Sequence, residues 1–297
     1  MMADLAHPTA LSTSVSGTLR LVWLRLRRNW PSALALAVIL IMIVAAVLAP
    51  WIAPYDADAT DAAATLQSPS LQHLLGTDIY GRDLLSRIIF AAQVDLSVAF
   101  GATALALAIG STMGAISGHY RGWVDLIIMR CVDSVMAFPA FILAMAITAA
   151  LGNSVSNVLL AIAVTQVPNY LRLVRGEILR IREMEYADAA RVVGNPPWRI
   201  MFVHLLPNCL PPIIVQATLA MGYALLTMAA LSFIGLGIRP PQSEWGSMTA
   251  EGAQYIVTGE WWLFLFPGLA IVIMVLAFNL VGDGLRDFLD PRMRGVR

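Results

Sequence analysis

The sequence predicts an all-α polytopic membrane protein with six transmembrane helices. Two observations lead there. Apolar residues make up 59% of the 297 and charged residues only 13%, about half the charged share of a soluble domain. The apolar residues also gather into stretches near the roughly 20 residues that a bilayer-crossing helix needs. The distribution of basic residues is a third observation, and it orients the chain.

The first span, Pro31 to Trp51, carries no charge. Proline suits a first helical turn, and tryptophan suits the membrane interface. Its apolar stretch exceeds the 7–15 residues of a signal peptide, so it reads as a retained anchor. The second span runs from about Leu96 to Ser117, and the third from about Leu126 to Leu151. The fourth, about Val155 to Leu171, is short and holds Gln166, Pro168 and Asn169. The fifth, Cys209 to Ile238, is long enough to tilt or to end in a re-entrant turn. The sixth covers Trp261 to Val281.

All 19 basic residues are arginine. With the N-terminus inside, Arg20, Arg25, Arg27 and Arg28 precede span one on the inner side, and Arg121 and Arg130 flank the turn after span two. Arg172, Arg175, Arg180, Arg182, Arg191 and Arg199 lie between spans four and five, and Arg286, Arg292, Arg294 and Arg297 follow span six. Only Arg82, Arg87 and Arg239 remain outside. The excess of inner positive charge predicts that both termini are cytoplasmic. The resulting plan has a cytoplasmic segment (1–30), a first anchor (31–51) and an external segment (52–95). A transmembrane core (96–282) follows, containing a cytoplasmic loop (172–207), and then a cytoplasmic tail (283–297).

Catalytic patterns are missing. A phosphate-binding loop of the usual form needs lysine, and the chain has none. Gly235-Leu236-Gly237 reads as a turn at the outer end of span five. His7, His73, His119 and His204 are scattered, with structural or solvent-facing roles expected. Cys131 and Cys209 lack disulfide or metal spacing and read as buried apolar side chains. No metal site and no enzyme active site are expected.

The most informative polar stretch runs from Glu183 to Trp198. Glu185 to Val193 suits a short helix, with Gly194 placed for a left-handed C-terminal residue. Asn195-Pro196-Pro197 prevents continuation. Small residues at Ala187, Ala189 and Ala190 suit close approach by another surface. Tyr186, the acidic groups and Arg191 suit anchoring contacts.

These residues carry a resemblance. Asp188-Ala189-Ala190, Gly194 and Leu206-Pro207 resemble the "EAA" loop of binding-protein-dependent ABC importer permeases, with Asp188 in place of Glu and His204 in place of Ile. Leu75-Gly76-Thr77-Asp78-Ile79-Tyr80-Gly81-Arg82-Asp83 with Ser86-Arg87 is similar to a signature of the dipeptide/oligopeptide/nickel branch, C-type subunit. So are Met129-Arg130 with Asp133 and Pro139, Phe233-Ile234-Gly235-Leu236-Gly237, Glu244-Trp245-Gly246, and Asn279-Leu280-Val281-Gly282-Asp283 running to Leu289-Asp290-Pro291. Gln93 and Asp95 depart from the branch, which usually has Arg and Ser there.

The resemblance implies a type I ABC importer permease in a bacterial inner membrane, importing dipeptides or oligopeptides. Nickel complexes, glutathione or another small solute are the alternatives. Implied partners are a second permease, two ATP-binding subunits that hold ATP and Mg, an extracytoplasmic binding protein and membrane lipid; nucleic acid is not implied. Glu185, Tyr186, Asp188, Ala189, Ala190, Arg191 and Gly194 would couple to an ATPase. For the pathway, Asp133 either lines it or pairs with Arg130. Gln166 and Asn169 mark a broken helix at Pro168, serving either the pathway or helix–helix bonds. Glu244, Trp245 and Gly246 would meet the binding protein or plug the pore mouth. A self-sufficient secondary transporter is the competing class; no internal repeat supports it, and membrane-depth charge is sparse.

Overall fold

The computed structural model describes residues 30–239 and 241–289. Among them the chain is helical, with no strand beyond the isolated Thr77–Asp83 bridge. Residues 1–29, with Arg20, Arg25, Arg27 and Arg28, lie outside the described residues. So do Asp290-Pro291, Arg292, Arg294 and Arg297.

The principal helices are α1 (Trp30–Val47), α2 (Leu84–Tyr120), α3 (Gly122–Met136), α4 (Ala140–Leu151) and α5 (Val155–Ile181). They are followed by α6 (Glu185–Val192), α7 (Leu210–Phe233), α8 (Trp245–Ala253) and α9 (Trp262–Leu289). By length and composition four segments can cross a membrane: α1, α2, Pro197–Phe233 and α9. A fifth is gained if α3 and α4 count as one bent span.

The core is a bundle of α2, α5, α7 and α9, with α1 against α9 and α2. The most extensive helix–helix contact is α2 with α5, and glycine explains the close approach. Gly110, Gly114 and Gly118 recur every fourth residue on one face of α2. A Cβ at Gly114 would lie 2.6 Å from the Leu171 carbonyl oxygen and 3.0 Å from Val174 Cβ. In lipid, where apolar association has little driving force, small residues let helices pack backbone to backbone. Gly114→Val is therefore expected to cost about 1–3 kcal/mol through overpacking. Gly176→Ala, which meets nothing within 4 Å, is the control. The thermal midpoint of the solubilised protein should fall for the first and hold or rise for the second.

Four span expectations need correction. The second starts at Leu84 rather than near Leu96, because Asp83 caps α2 there, so the end of the segment 52–95 is helical. The third is not one helix: it breaks at Ala137–Pro139 and bends by 84°. Pro139 has no backbone donor and bars its predecessor from helical geometry. The fourth does not stop near Leu171 and does not break at Pro168, because α5 continues to Ile181. Its arginines sustain it: Arg175 makes a two-pronged contact to Asp125 (2.6 and 2.7 Å), and Arg180 pairs with Glu177 at 2.7 Å. The fifth helix is entered earlier than Cys209, through a π-helical turn (Ile200–Leu205) and a 3-10 turn (Leu206–Cys209). Gly235 forms the expected turn, with φ +79°. Cys209 is buried, but Cys131 is exposed on α3, contrary to expectation.

Candidate functional site

Helix α6 forms where the sequence places it. Glu185 and Asp188 lie in its first turn, where negative charge complements the helix dipole. Its end is closed by two reverse bonds: Gly194 N–H donates to the Arg191 carbonyl (2.9 Å) and Asn195 N–H to the Ala190 carbonyl (3.2 Å). Gly194 has φ +86°, the left-handed geometry such a terminus needs. The Asn195 side-chain amide also donates to the Ala190 carbonyl, at 3.0 Å.

The two faces of α6 differ from expectation. Ala187 and Ala190 are buried against their own chain and belong to its core. Ala190 therefore stands on the inner face rather than the contact face. Glu185, Tyr186, Asp188, Ala189 and Arg191 point outward. With them stand Val192 (87% exposed), Val193 (81%) and Trp198 (60%), apolar side chains to which the sequence reading gave no role. Their signal was present: paired β-branched residues at the end of an otherwise polar helix.

Polar contacts at the edge of α6 and in the link before it tie the helix to the bundle. Arg191 pairs with Asp188 and donates to the Arg182 carbonyl at 3.1 Å. Arg182 reaches the Gly118 and His119 carbonyls at 3.2 and 2.8 Å, satisfying the open C-terminal end of α2. Arg121 meets Glu183 at 3.1 Å. Three residues, Arg182 to Met184, link α5 to α6.

Higher on α5 lies a cleft of about 380 Å³ between α5, α7 and α9. Gln166 and Asn169 both line it, joined by Tyr170, Gln216, Tyr223 and Asn279. Gln166 donates from Nε2 to the Ala220 carbonyl at 3.2 Å. The last three polar residues were missed as a set because two of them sit more than fifty positions from Gln166.

Asp133 is not part of this cleft. Nor does it pair with Arg130; it takes a 2.6 Å hydrogen bond from Arg172 on α5. Glu244, Trp245 and Gly246, expected at an outer contact surface, are all buried. Glu244 caps α8, accepting from Gly246 N–H (2.6 Å) and Ser247 N–H (2.7 Å). Burial pushes its carboxyl above the ordinary value. Trp245 donates from Nε1 to the Ile88 carbonyl (3.0 Å) and from its backbone to Asp95 (3.2 Å). A Cβ at Gly246 would lie 2.5 Å from Ala229 Cα. The three form an internal joint among α2, α7 and α8. The departures noted in the sequence work nearby: Asp95 accepts that Trp245 bond, and Gln93 donates to the Ala46 carbonyl at 2.7 Å.

The segment between α1 and α2, with the start of α2, holds a buried ionic knot. Asp78 accepts from Arg82 Nε (2.6 Å) and Arg87 Nη1 (2.5 Å), and from the backbone N–H of Tyr80 and Arg82. Asp83 caps α2 through Ser86 and takes a 3.0 Å contact from His73. Gly81 has φ +72°, and a Cβ there would fall 1.8 Å from the Asp61 carbonyl oxygen. This explains the Gly-Thr-Asp stretch as a structural clasp at the start of α2.

Comparison with known proteins gives two family matches. Residues 110–295 match the family of binding-protein-dependent transport system inner membrane components. Residues 17–69 match the N-terminal transmembrane domain of oligopeptide transport permease C. The chain is 44% identical over 295 residues to a putative peptide transport system permease protein of Brucella abortus, covering 99% of each. It is 45% identical over 270 residues to a dipeptide transport system permease protein of Alkalihalophilus pseudofirmus, covering 91% of this chain and 88% of that one. A glutathione transport system permease protein of Pectobacterium atrosepticum is 39% identical over 295 residues, covering 99% of this chain and 97% of the relative.

Proposed function

As this chain belongs to the family of binding-protein-dependent transport system inner membrane components, we propose that it forms half of the pore of an ATP-driven peptide importer. Dipeptides or oligopeptides are the substrates, in line with the names of its relatives. The chain hydrolyses nothing; ATP and Mg bind to two partner ATPase subunits. A second permease completes the pore and an extracytoplasmic binding protein delivers the peptide. The chain crosses a bacterial inner membrane six times with both termini cytoplasmic, α5 and the bent α3–α4 pair each serving as one crossing.

One observation carries the mechanism: α5 lines the cleft at Gln166, Asn169 and Tyr170 and ends beside α6. The roughly twelve residues between Asn169 and Ile181 form a rod of about 18 Å. A displacement imposed on α6 reaches the cleft through this rod with only a three-residue link to absorb it. The ATPases grip the outward face of α6: Glu185, Tyr186, Asp188, Ala189 and Arg191, with Val192, Val193 and Trp198. Gly194 ends the lever, and Ala190 seats it on the bundle. ATPase closure then biases the packing of the bundle between inward-open and outward-open arrangements. Asp133 and its Arg172 partner join α3 to α5 and move with the rod. Glu244, Trp245 and Gly246 hold α8 during that motion.

A second reading, glutathione as cargo, is favoured by the similarity to permeases of that name. Gentle solubilisation of native membranes and mass spectrometry of co-purifying chains test the assembly. A second permease and ATPase subunits in stoichiometric amounts are expected. Uptake of labelled alanyl-alanine and of glutathione by the reconstituted assembly then separates the two cargoes. Recovery of this chain alone in transport-competent form would overturn the importer reading.

A further inference from the structure

Two buried carboxyl groups have no charge partner in the fold described above: Asp95 on α2 and Glu244 at the start of α8, 1% and 0% exposed. They converge on three consecutive backbone N–H groups. The Trp245 N–H donates to Asp95 at 3.2 Å, and those of Gly246 and Ser247 donate to the two oxygens of Glu244 at 2.6 and 2.7 Å. The two acids therefore share one helix start and lie close enough to repel each other. A third polar group adjoins them. The Ser232 hydroxyl on α7 is buried with no hydrogen-bond partner and stands beside the Glu244 carboxyl.

No cation balances the pair among the described residues. Helices α1 and α7 hold no charged residue. Those of α5 (Arg172, Arg175, Glu177, Arg180) and of α9 (Asp283, Arg286, Asp287) lie toward the far ends of these helices. On α2, Arg87 is committed to Asp78 and reaches only the Ser243 hydroxyl, at 3.3 Å. Helix α8 adds another acid, Glu251, 4.0 Å from Arg87. Arg239, in the loop before α8, is exposed.

Two neighbouring buried carboxyls without a cation cannot both stay ionised. One bound proton removes a charge and places a donor between two acceptors. A metal ion fits less well, because the N–H groups at the start of α8 already present positive charge to these oxygens. Glu244 suits the charged member: each of its oxygens takes a short N–H bond, and Ser232 can add another donor. Asp95, with the longest of the three bonds, suits the acid.

We propose that Asp95 and Glu244 form a proton-binding site that latches α8 to α2 and α7, and that the latch loosens as pH rises. The folded pair keeps a proton that the same acids in an unfolded chain release well below neutral pH. Its stabilising effect is therefore present at lower pH and is lost as pH rises through the point where the folded pair lets go. The two acids titrate as one unit. Trp245 also donates from Nε1 to the Ile88 carbonyl, so loss of the proton sets two repelling anions beside the turn that fastens α8 to α2.

The test uses the full chain purified with its partners from native membranes. Between about pH 6 and about pH 9, above the range of ordinary carboxyls, the infrared difference spectrum of the wild type should lose the C=O stretch of a protonated carboxyl. Asp95→Asn and Glu244→Gln should each lack that band; partner chains contribute equally to the three spectra and cancel. Over the same range the thermal midpoint of the wild type should fall by about 3 °C or more relative to Asp95→Asn, the effect of about one pH unit of linkage. Asp95→Asn keeps an acceptor for the Trp245 N–H and should fold. Glu244→Gln sets an NH2 group against an N–H donor and should lower the midpoint at every pH. A wild type without the band, or a band that persists in both variants, would overturn the site. So would a wild-type midpoint that follows sodium or calcium concentration at fixed pH, which marks a metal ion as the occupant. A midpoint that runs parallel to that of Asp95→Asn across the range would overturn the latch.

Discussion

Asp78→Ala is expected to destabilise the protein by about 3–5 kcal/mol, the usual cost of breaking a buried ion pair by removing one member. Asp78 is almost wholly enclosed, and so are Arg82 and Arg87. One carboxylate oxygen takes both guanidinium contacts, at 2.6 and 2.5 Å. The other takes the backbone N–H groups of Tyr80 and Arg82, at 2.8 and 2.9 Å. Alanine would strand two buried cations with only Glu251, 4.0 Å from Arg87, nearby. It would also open the turn that seats Asp83 at the start of α2. Asp78→Asn keeps an acceptor for the turn but removes the charge, so an intermediate loss is expected. Asp58→Ala, at an exposed position, should change nothing. Membrane abundance and the thermal midpoint of the solubilised protein are the readouts. A wild-type midpoint for Asp78→Ala would mean that Arg82 and Arg87 reach water and that the clasp contributes little.

Val192→Asp and Val193→Asp should have the largest effect on activity. Both side chains are more than four-fifths exposed, so the fold has little to lose from either change. On the proposed lever they are apolar anchors for the ATPase, and a carboxylate there would be desolvated without a partner. Peptide uptake and binding-protein-stimulated ATP hydrolysis should fall together by at least about tenfold, since an unpaired carboxylate buried there costs more than the roughly 1.4 kcal/mol that tenfold represents. Insertion and thermal midpoint should remain as in wild type. Ala187→Leu is the contrasting variant. Ala187 is wholly enclosed beside the turn at Ile200–Leu205, so enlarging it should unseat α6 and lower stability as well as transport. Gly194 differs again: a Cβ there meets nothing within 4 Å, and any penalty comes from its positive φ. Coupled transport at the wild-type rate in both valine variants would remove α6 from the coupling path.

Local features were readable where local rules govern them. The α6 boundary at Gly194 followed from helix-stop chemistry, and the turn at Gly235 from its glycine pair. The branch membership followed from several motifs in order. Errors arose where a residue's partner is remote. Asp133 has Arg130 three positions away, yet it bonds Arg172, because the α3–α5 contact decides which cation is near. Pro168 looked like a break, but α5 passes through it while packed closely on the glycine face of α2. Glu244, Trp245 and Gly246 looked like an outer surface because they are polar or turn-forming. Their roles as cap, indole donor and close-packing glycine show only when α2, α7 and α8 are assembled.

By itself the sequence determined that this is a helical membrane chain with a short polar connector helix that stops at Gly194. Composition, apolar run length and helix-stop residues act over a few turns, so they can be read along one strand of text. The tertiary structure alone decided which face of α6 is free. It also decided that the Gly-Thr-Asp stretch is a clasp and that amides from three helices share one cleft. Those outcomes depend on which distant atoms satisfy a buried charge or carbonyl, and that is settled only by packing.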